Sequence, residues 1–152
     1  MLRIEISNEH AAALDEARLK KAVRTILKDA DIDDGEISIA IVNDAEMHML
    51  NRKYLDHDYP TDVLSFVLEE EDGRLDGEII ASSDYAAKEA IRYGWTAEDE
   101  ILLYVIHGML HLVGHDDQVP AAKRKMREQE RHYLAQFGLT PNYAEDSVPD
   151  EQ

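Results

Sequence analysis

Residues 107–117, with the sequence HGMLHLVGHDD, bring together several side chains that bind metal ions in proteins. His107 and His111 are four residues apart, so a helix places both imidazoles on one face. Gly114 can adopt the left-handed conformation that ends a helix and reverses the chain, which brings Asp117 to the position of a third ligand. Zinc accepts imidazole nitrogen and carboxylate oxygen, and catalytic sites use three protein ligands and a water. The sequence therefore predicts a site for one zinc ion.

Two neighbouring residues compete with this assignment of the third ligand. His115 lies four residues beyond His111, but we expect Gly114 to end the helix first, so His115 ranks second after Asp117. Asp116 is expected to orient a ligand or cap the turn, because metal-bound histidines need hydrogen-bond acceptors for their second ring nitrogen.

Gly108 separates this pattern from that of the common zinc proteases. Proteases of the His-Glu-x-x-His type use the glutamate after the first histidine as a general base, and glycine occupies that position here. The motif thus supplies metal ligands without the usual peptidase machinery.

Composition limits the class of protein. The 152 residues are enough for one domain with a hydrophobic core, and the lack of cysteine excludes disulfides and thiolate metal sites. The formal net charge of −17 argues against general nucleic-acid binding, although it allows a local basic groove. No run is long enough to span a membrane and Met1 leads into a strand-like segment, so we expect a cytoplasmic protein without membrane association.

Hydrophobic periodicity predicts a small mixed four-stranded sheet with about five helices, an α/β (α+β) fold with the histidine helix in its core. We expect one metal-dependent hydrolase domain over residues 1–140, with an acidic disordered tail over residues 141–152. Thr96 and Asp99 predict a capping box at the start of the histidine helix. The predicted strands cover residues 2–6, 36–42, 63–68 and 78–81; the predicted helices cover 14–30, 45–55, 82–93, 96–113 and 120–137; and residues 69–77 are expected to form an acidic turn.

The chain contains three motifs, at residues 51–66, 75–82 and 107–116. In sequence and in order they resemble motifs of the YbeY family of bacterial rRNA maturation endoribonucleases. HGMLHLVGHD at residues 107–116 is similar to the family signature, and NRKY at 51–54 with DYPTDVLSF at 58–66 resembles its second block. LDGEIIAS at 75–82 resembles the third.

The resemblance implies a zinc-dependent endoribonuclease specific for single strands. Such proteins act in 16S rRNA 3′-end maturation and ribosome quality control, which implies ribosomal RNA and the small ribosomal subunit as partners. His107 and His111 match the first two family ligands, while Asp117 stands where the family usually has a third histidine. A carboxylate ligand lowers the Lewis acidity of the ion.

The second block departs from the family at Leu55, where an arginine is usual; Val67 also replaces a usual proline. An arginine would suit the scissile phosphate because its planar guanidinium binds phosphate oxygens in pairs. We expect Arg52 to substitute for it as a catalytic residue, with Lys53 as an alternative. The further residues expected to line the cleft are Thr61, Asp62 and Ser65.

Basic residues on the first and last predicted helices offer the candidate tracks for RNA on this acidic protein. Arg18, Lys21 and Lys28 are expected to form a solvated face of the first helix. Arg124, Arg127 and Arg131 share one face of the last helix.

Two other classes of function remain open from the sequence. One is a non-catalytic ribosome-assembly factor with a structural metal, and the other is a metallopeptidase, which Gly108 makes the weaker of the two. The sequence does not specify an oligomeric state.

Overall fold

A four-stranded mixed sheet with helices on it forms the fold of the computed structural model, as predicted. The structure describes residues 1–8, 14–50, 52, 63–115 and 118–141. The elements are β1 (Leu2–Asn8), α1 (Glu16–Asp29), β2 (Gly35–Val42), α2 (Asp44–Leu50), β3 (Val63–Glu71), β4 (Arg74–Ser82), α3 (Ser83–Tyr93), α4 (Ala97–Leu112) and α5 (Pro120–Ala135).

The strand order in the sheet is β1-β2-β4-β3. Strands β1, β2 and β4 are parallel, whereas β3 is antiparallel to β4 at the edge. Helix α1 connects two adjacent parallel strands, so a right-handed crossover places it over the β1 and β2 half of the sheet. The opposite half, formed by β4 and β3, is left for the histidine helix.

Helix α4 lies against that half of the sheet at close range. A Cβ atom on Gly108 would lie 3.2 Å from the Ile79 side chain of β4, and one on Gly77 would lie 2.8 Å from Leu112 Cδ1. The side chain at position 108 would therefore face the sheet. This contact gives a packing reason for glycine at the position where zinc proteases have their glutamate.

The capping box predicted at the start of α4 is confirmed by its hydrogen bonds. Thr96 Oγ1 accepts a bond from the Asp99 backbone N–H at 3.0 Å, and the Asp99 carboxylate accepts one from the Thr96 N–H at 3.3 Å. The Asn43 side chain caps α2 in the same way by accepting from the Glu46 N–H at 2.9 Å. The caps satisfy N–H groups that the first helical turn leaves unpaired.

The predicted acidic turn over residues 69–77 is wrong. Strand β3 continues to Glu71 and β4 begins at Arg74, so only Asp72 and Gly73 form the turn. Gly73 has a φ of 73°, which suits a two-residue hairpin turn. Composition misled the prediction because glutamates on an exposed edge strand can face solvent while their backbone pairs with β4.

The expectation that Arg18 belongs to a solvated helix face is also wrong. Its guanidinium forms an ion pair with Asp99 at 3.0 Å, and its side chain is only 20% exposed. Helix α1 packs against α4, so this flank of α1 meets the first turn of α4. Lys21 and Lys28 are exposed, as predicted.

Helix α1 also makes a polar contact with α5. The Tyr133 hydroxyl donates to Asp29 at 2.7 Å. Burial, and then the Asp29 carboxylate, raise the pKa of Tyr133 from 10.0 to about 12. Because the folded pKa lies above the unfolded value, the contribution of protonated Tyr133 to folding stability is fully present below pH 10. That contribution is lost as the pH rises toward 12.

Residues 142–152 of the predicted tail lie outside the described part of the chain. None of the helices that the structure describes is long and apolar enough to cross a membrane.

Replacing Gly35 with alanine should strongly destabilise the protein. Gly35 has a φ of 129°, and an added Cβ would lie 1.9 Å from the Leu75 carbonyl oxygen. We expect the free energy of unfolding to fall by about 3 kcal/mol or more, measured by chemical denaturation. Gly94→Ala is the matched control, because Gly94 has a φ of 77° with no atom within 4 Å of the added Cβ. It should lose about 1 kcal/mol. Equal losses in the two variants would contradict the clash.

Candidate metal centre

The rings of His107 and His111 converge on the partly exposed side of α4. Their Nε2 atoms are 3.0 Å apart, with ring centroids 4.6 Å apart and ring planes at 83°. Two nitrogens bound to one tetrahedral zinc ion at about 2.0–2.1 Å lie about 3.3 Å apart. The helix spacing therefore brings the two nitrogens close to the separation that a shared ion requires.

Glu130 of α5 holds the first of these rings. Its carboxylate accepts a hydrogen bond from His107 Nδ1 at 2.6 Å, and the residue is only 4% exposed. A buried carboxylate needs such a partner, because desolvation without one is costly. The bond places the proton of the neutral ring on Nδ1 and leaves the lone pair on Nε2.

Sequence reasoning missed Glu130, although a signal was present. Met126, Tyr133 and Leu134 are the other buried residues of α5, and Glu130 lies among them on the same face. An acidic residue in the middle of an apolar stripe indicates a buried polar contact. Its partner could not be identified before the packing of α5 on α4 was known.

The turn after α4 holds the second ring. Gly114 has a φ of 111°, and its N–H donates to the His111 carbonyl at 3.1 Å. The His115 N–H donates to the Leu110 carbonyl at 2.9 Å, which completes a Schellman motif. The same turn brings the His115 carbonyl to His111 Nδ1, which donates to it at 3.0 Å. The helix stop predicted at Gly114 is thus confirmed, and the turn also orients a ring.

The donor set of the two histidines fits a metal ion. A carbonyl oxygen and an ionised carboxylate can only accept, so both Nδ1 atoms are donors and both Nε2 atoms present lone pairs. Two neutral rings in this state cannot hydrogen bond to each other through Nε2. A cation between the two nitrogens would satisfy both lone pairs, and the acceptors on Nδ1 are those that metal-bound histidines use.

The predicted third ligand, Asp117, lies outside the described residues, as does Asp116. Within the described ranges, no group of three or more histidine, aspartate or glutamate side chains is arranged to hold a metal. His115 contributes its backbone carbonyl to His111. Among the described residues, its ring does not form a three-ligand group with His107 and His111.

A cleft of about 510 Å³ opens beside the two rings, between α4 and the edge strand β3. Val63, Ser65 and Val67 pair with Ala81, Ile79 and Gly77, which puts them on the α4 side of the sheet. The cleft lining includes Ser65, Phe66, Val67, His107, His111 and Gln118.

The other residues predicted for this cleft are placed less fully. Arg52 is exposed and does not belong to the cleft lining that the structure describes. Lys53, Thr61 and Asp62 lie outside the described residues.

Comparisons with known proteins agree with this architecture. A family model described as Endoribonuclease YbeY matches residues 4–138. An Endoribonuclease YbeY of Rhodopirellula baltica is 42% identical over 123 residues, which are 78% of this chain and 63% of that protein, so the chain spans less than two thirds of that relative. One from Chlorobium phaeovibrioides is 35% identical over 146 residues, covering 95% of this chain and 97% of that protein.

A solved structure also matches. The solution structure of a Thermotoga maritima protein covers 100% of both chains with 30% sequence identity and a TM-score of 0.60. The family match extends over nearly the whole described chain and includes both convergent histidines. The chain belongs to the Endoribonuclease YbeY family.

Proposed function

We propose that this protein is a metal-dependent endoribonuclease that cleaves single-stranded RNA with one zinc ion. The observation that supports it most is the pair of Nε2 atoms 3.0 Å apart at a cleft, each on a ring whose Nδ1 is tied to an acceptor. Family membership supports the nuclease activity and RNA as the substrate. The resemblance of the motifs supports a role in 16S rRNA 3′-end maturation, with the small ribosomal subunit as partner. The cytoplasm is the expected location of this activity.

Each residue of the site has a separate role in this proposal. His107, His111 and Asp117 would hold the ion, with Glu130 and the His115 carbonyl keeping the two rings in orientation. When bound, zinc would supply a water of lowered pKa and polarise a phosphoryl oxygen. Arg52 would neutralise charge that develops on the phosphate, and Ser65 would contact the RNA in the cleft.

The two other classes of function differ from this proposal in the product that they predict. A non-catalytic assembly factor would bind metal and leave RNA intact. A metallopeptidase would hydrolyse peptides, but position 108 has glycine where such enzymes have the general base, and a Cβ there would lie 3.2 Å from the Ile79 side chain.

Substituting His111 with alanine should abolish metal-dependent cleavage of single-stranded RNA. Loss of a ligand removes several kcal/mol of transition-state stabilisation, which corresponds to about 100-fold or more in rate. Cleavage of a labelled oligoribonucleotide by purified protein measures this, with chelation and zinc restoration alongside. His132→Ala is the control, since His132 is exposed on α5. Cleavage that survives in His111→Ala would refute the metallonuclease, whereas stoichiometric zinc in a wild type that leaves RNA intact would support the assembly factor.

Substituting Glu130 with alanine should weaken metal binding. Loss of a hydrogen-bond acceptor behind a metal-bound histidine typically costs about 10–100-fold in affinity. Competition with a chromophoric zinc chelator measures the affinity without any RNA, and Glu130→Gln should lose less because its amide oxygen still accepts from Nδ1.

Glu128→Gln serves as the matched control for that experiment. It removes the same charge from an exposed position on the same helix, so its zinc affinity should equal that of the wild type. An unchanged affinity in folded Glu130→Ala would show that Glu130 does not position His107 for the ion.

Restoring arginine at position 55 should accelerate cleavage. A guanidinium that contacts the scissile phosphate stabilises charge in the transition state, so we expect Leu55→Arg to raise the single-turnover rate about tenfold or more. Leu55→Gln, which adds polarity without charge, is the control. If Leu55→Arg cleaves at the wild-type rate, the missing arginine does not limit this enzyme.

A further inference from the structure

Helix α5 is a basic element in a strongly acidic protein. It contains five basic and two acidic residues, in a chain whose formal net charge is −17. One of the two acids, Glu130, is buried against His107 and adds nothing to the outer surface. Three of the basic residues are arginines that repeat along one flank of the helix: Arg124, Arg127 and Arg131. We call them the arginine flank.

Two contacts establish how α5 is rotated about its axis. Glu130 points toward His107, and Tyr133 points toward Asp29 of α1. At 3.6 residues per turn, Tyr133 lies about 60° to one side of Glu130, whereas Arg127 and Arg131 lie about 60° and about 100° to the other side. The arginine flank therefore lies on the side of α5 that faces away from α1.

That side is also the side of the histidine cleft. Helix α1 covers the β1 and β2 half of the sheet, while the cleft is bounded by β3 at the opposite edge. Gln118, two residues before α5 begins, lines the cleft. The flank thus extends from the mouth of the cleft along the outside of α5, with Arg124 exposed and the other two arginines half-buried.

We infer that the arginine flank binds the phosphodiester backbone of the RNA strand that enters the histidine cleft. The inference rests on the proposed function and adds a path for the substrate. Guanidinium groups bind phosphate oxygens in pairs, and half-buried arginines lose less freedom on binding because their stems are already packed. The net negative charge disfavours phosphates over most of the surface. The other basic helix, α1, lies over the β1 and β2 half of the sheet, so its exposed Lys21, Arg24 and Lys28 are not on the cleft side.

The salt dependence of RNA binding tests the inference. The probe is a short fluorescein-labelled single-stranded oligoribonucleotide, and its anisotropy is recorded on mixing with the full-length protein, before cleavage. Each phosphate contact on a single strand adds about 0.7 to the slope of log K against log salt. Arg127→Gln/Arg131→Gln should therefore reduce the slope by about 1.4. Arg127→Lys/Arg131→Lys keeps the charge and should keep the slope.

Arg24→Gln/Lys28→Gln is the matched control. It removes the same two charges from exposed positions on α1, and its slope should equal that of the wild type. Thermal unfolding of every variant confirms that it is folded, and Arg124→Gln repeats the test at an exposed position. Equal slope losses in the α1 and α5 pairs, or an unchanged slope in the α5 pair, would overturn the inference.

The outcomes also separate this inference from the proposed function. A wild type that cleaves RNA, with flank variants that bind it at the wild-type slope, overturns the arginine flank alone. A wild type that neither binds nor cleaves single-stranded RNA overturns both.

Discussion

The close approach of α4 to β4 is the constraint on which the rest of the structure depends. Gly108 and Gly77 allow it, since an added Cβ would lie 3.2 Å from the Ile79 side chain at position 108 and 2.8 Å from Leu112 Cδ1 at position 77, closer than ordinary contact distances. With one face of α4 pressed on the sheet, His107 and His111 are turned toward β3, and the cleft forms between helix and edge strand. A packing requirement of the core thus determines where the histidines can act.

The two histidine rings are oriented by parts of the chain that reach them from different directions. Glu130 comes from α5, so the position of His107 depends on how that helix packs; the His115 carbonyl comes from the turn after α4, so His111 depends on local backbone geometry. Burial of Glu130 is costly unless its carboxylate is paired, and the bond to His107 satisfies it. The same contact therefore stabilises the packing of α5 and fixes the tautomer of a candidate metal ligand.

Charge is distributed unevenly over this fold, and the distribution suits an acidic protein with an anionic substrate. Acidic residues on the edge hairpin, such as Glu69, Glu70 and Glu71, are exposed. The arginine flank lies on α5 beside the cleft. An overall negative field weakens non-specific association with RNA, while a local row of guanidinium groups can still bind a strand at short range.

Much of the fold could be predicted because it depends on local pattern. Three features depend only on residues close together in sequence, and the structure confirms each of them. They are the alternation of apolar and polar residues in β1, the capping box at Thr96 and Asp99, and the helix stop at Gly114. The position of His107 and His111 on one helix face follows from spacing alone. The errors occurred where long-range contacts decide: pairing with β4 makes the acidic segment after Leu68 a strand, and Asp99 of α4 forms an ion pair with Arg18.

The sequence by itself thus determined the histidine helix, its end and the order of elements, because these depend on residues within one or two turns of each other. Only the tertiary structure decided which acceptors hold the rings, since Glu130 is 23 residues from His107 and meets it only when α5 packs on α4. It also decided that the arginines of α5 lie on the cleft side. Helical periodicity groups residues on a face, but the packing of one helix on another determines what that face meets.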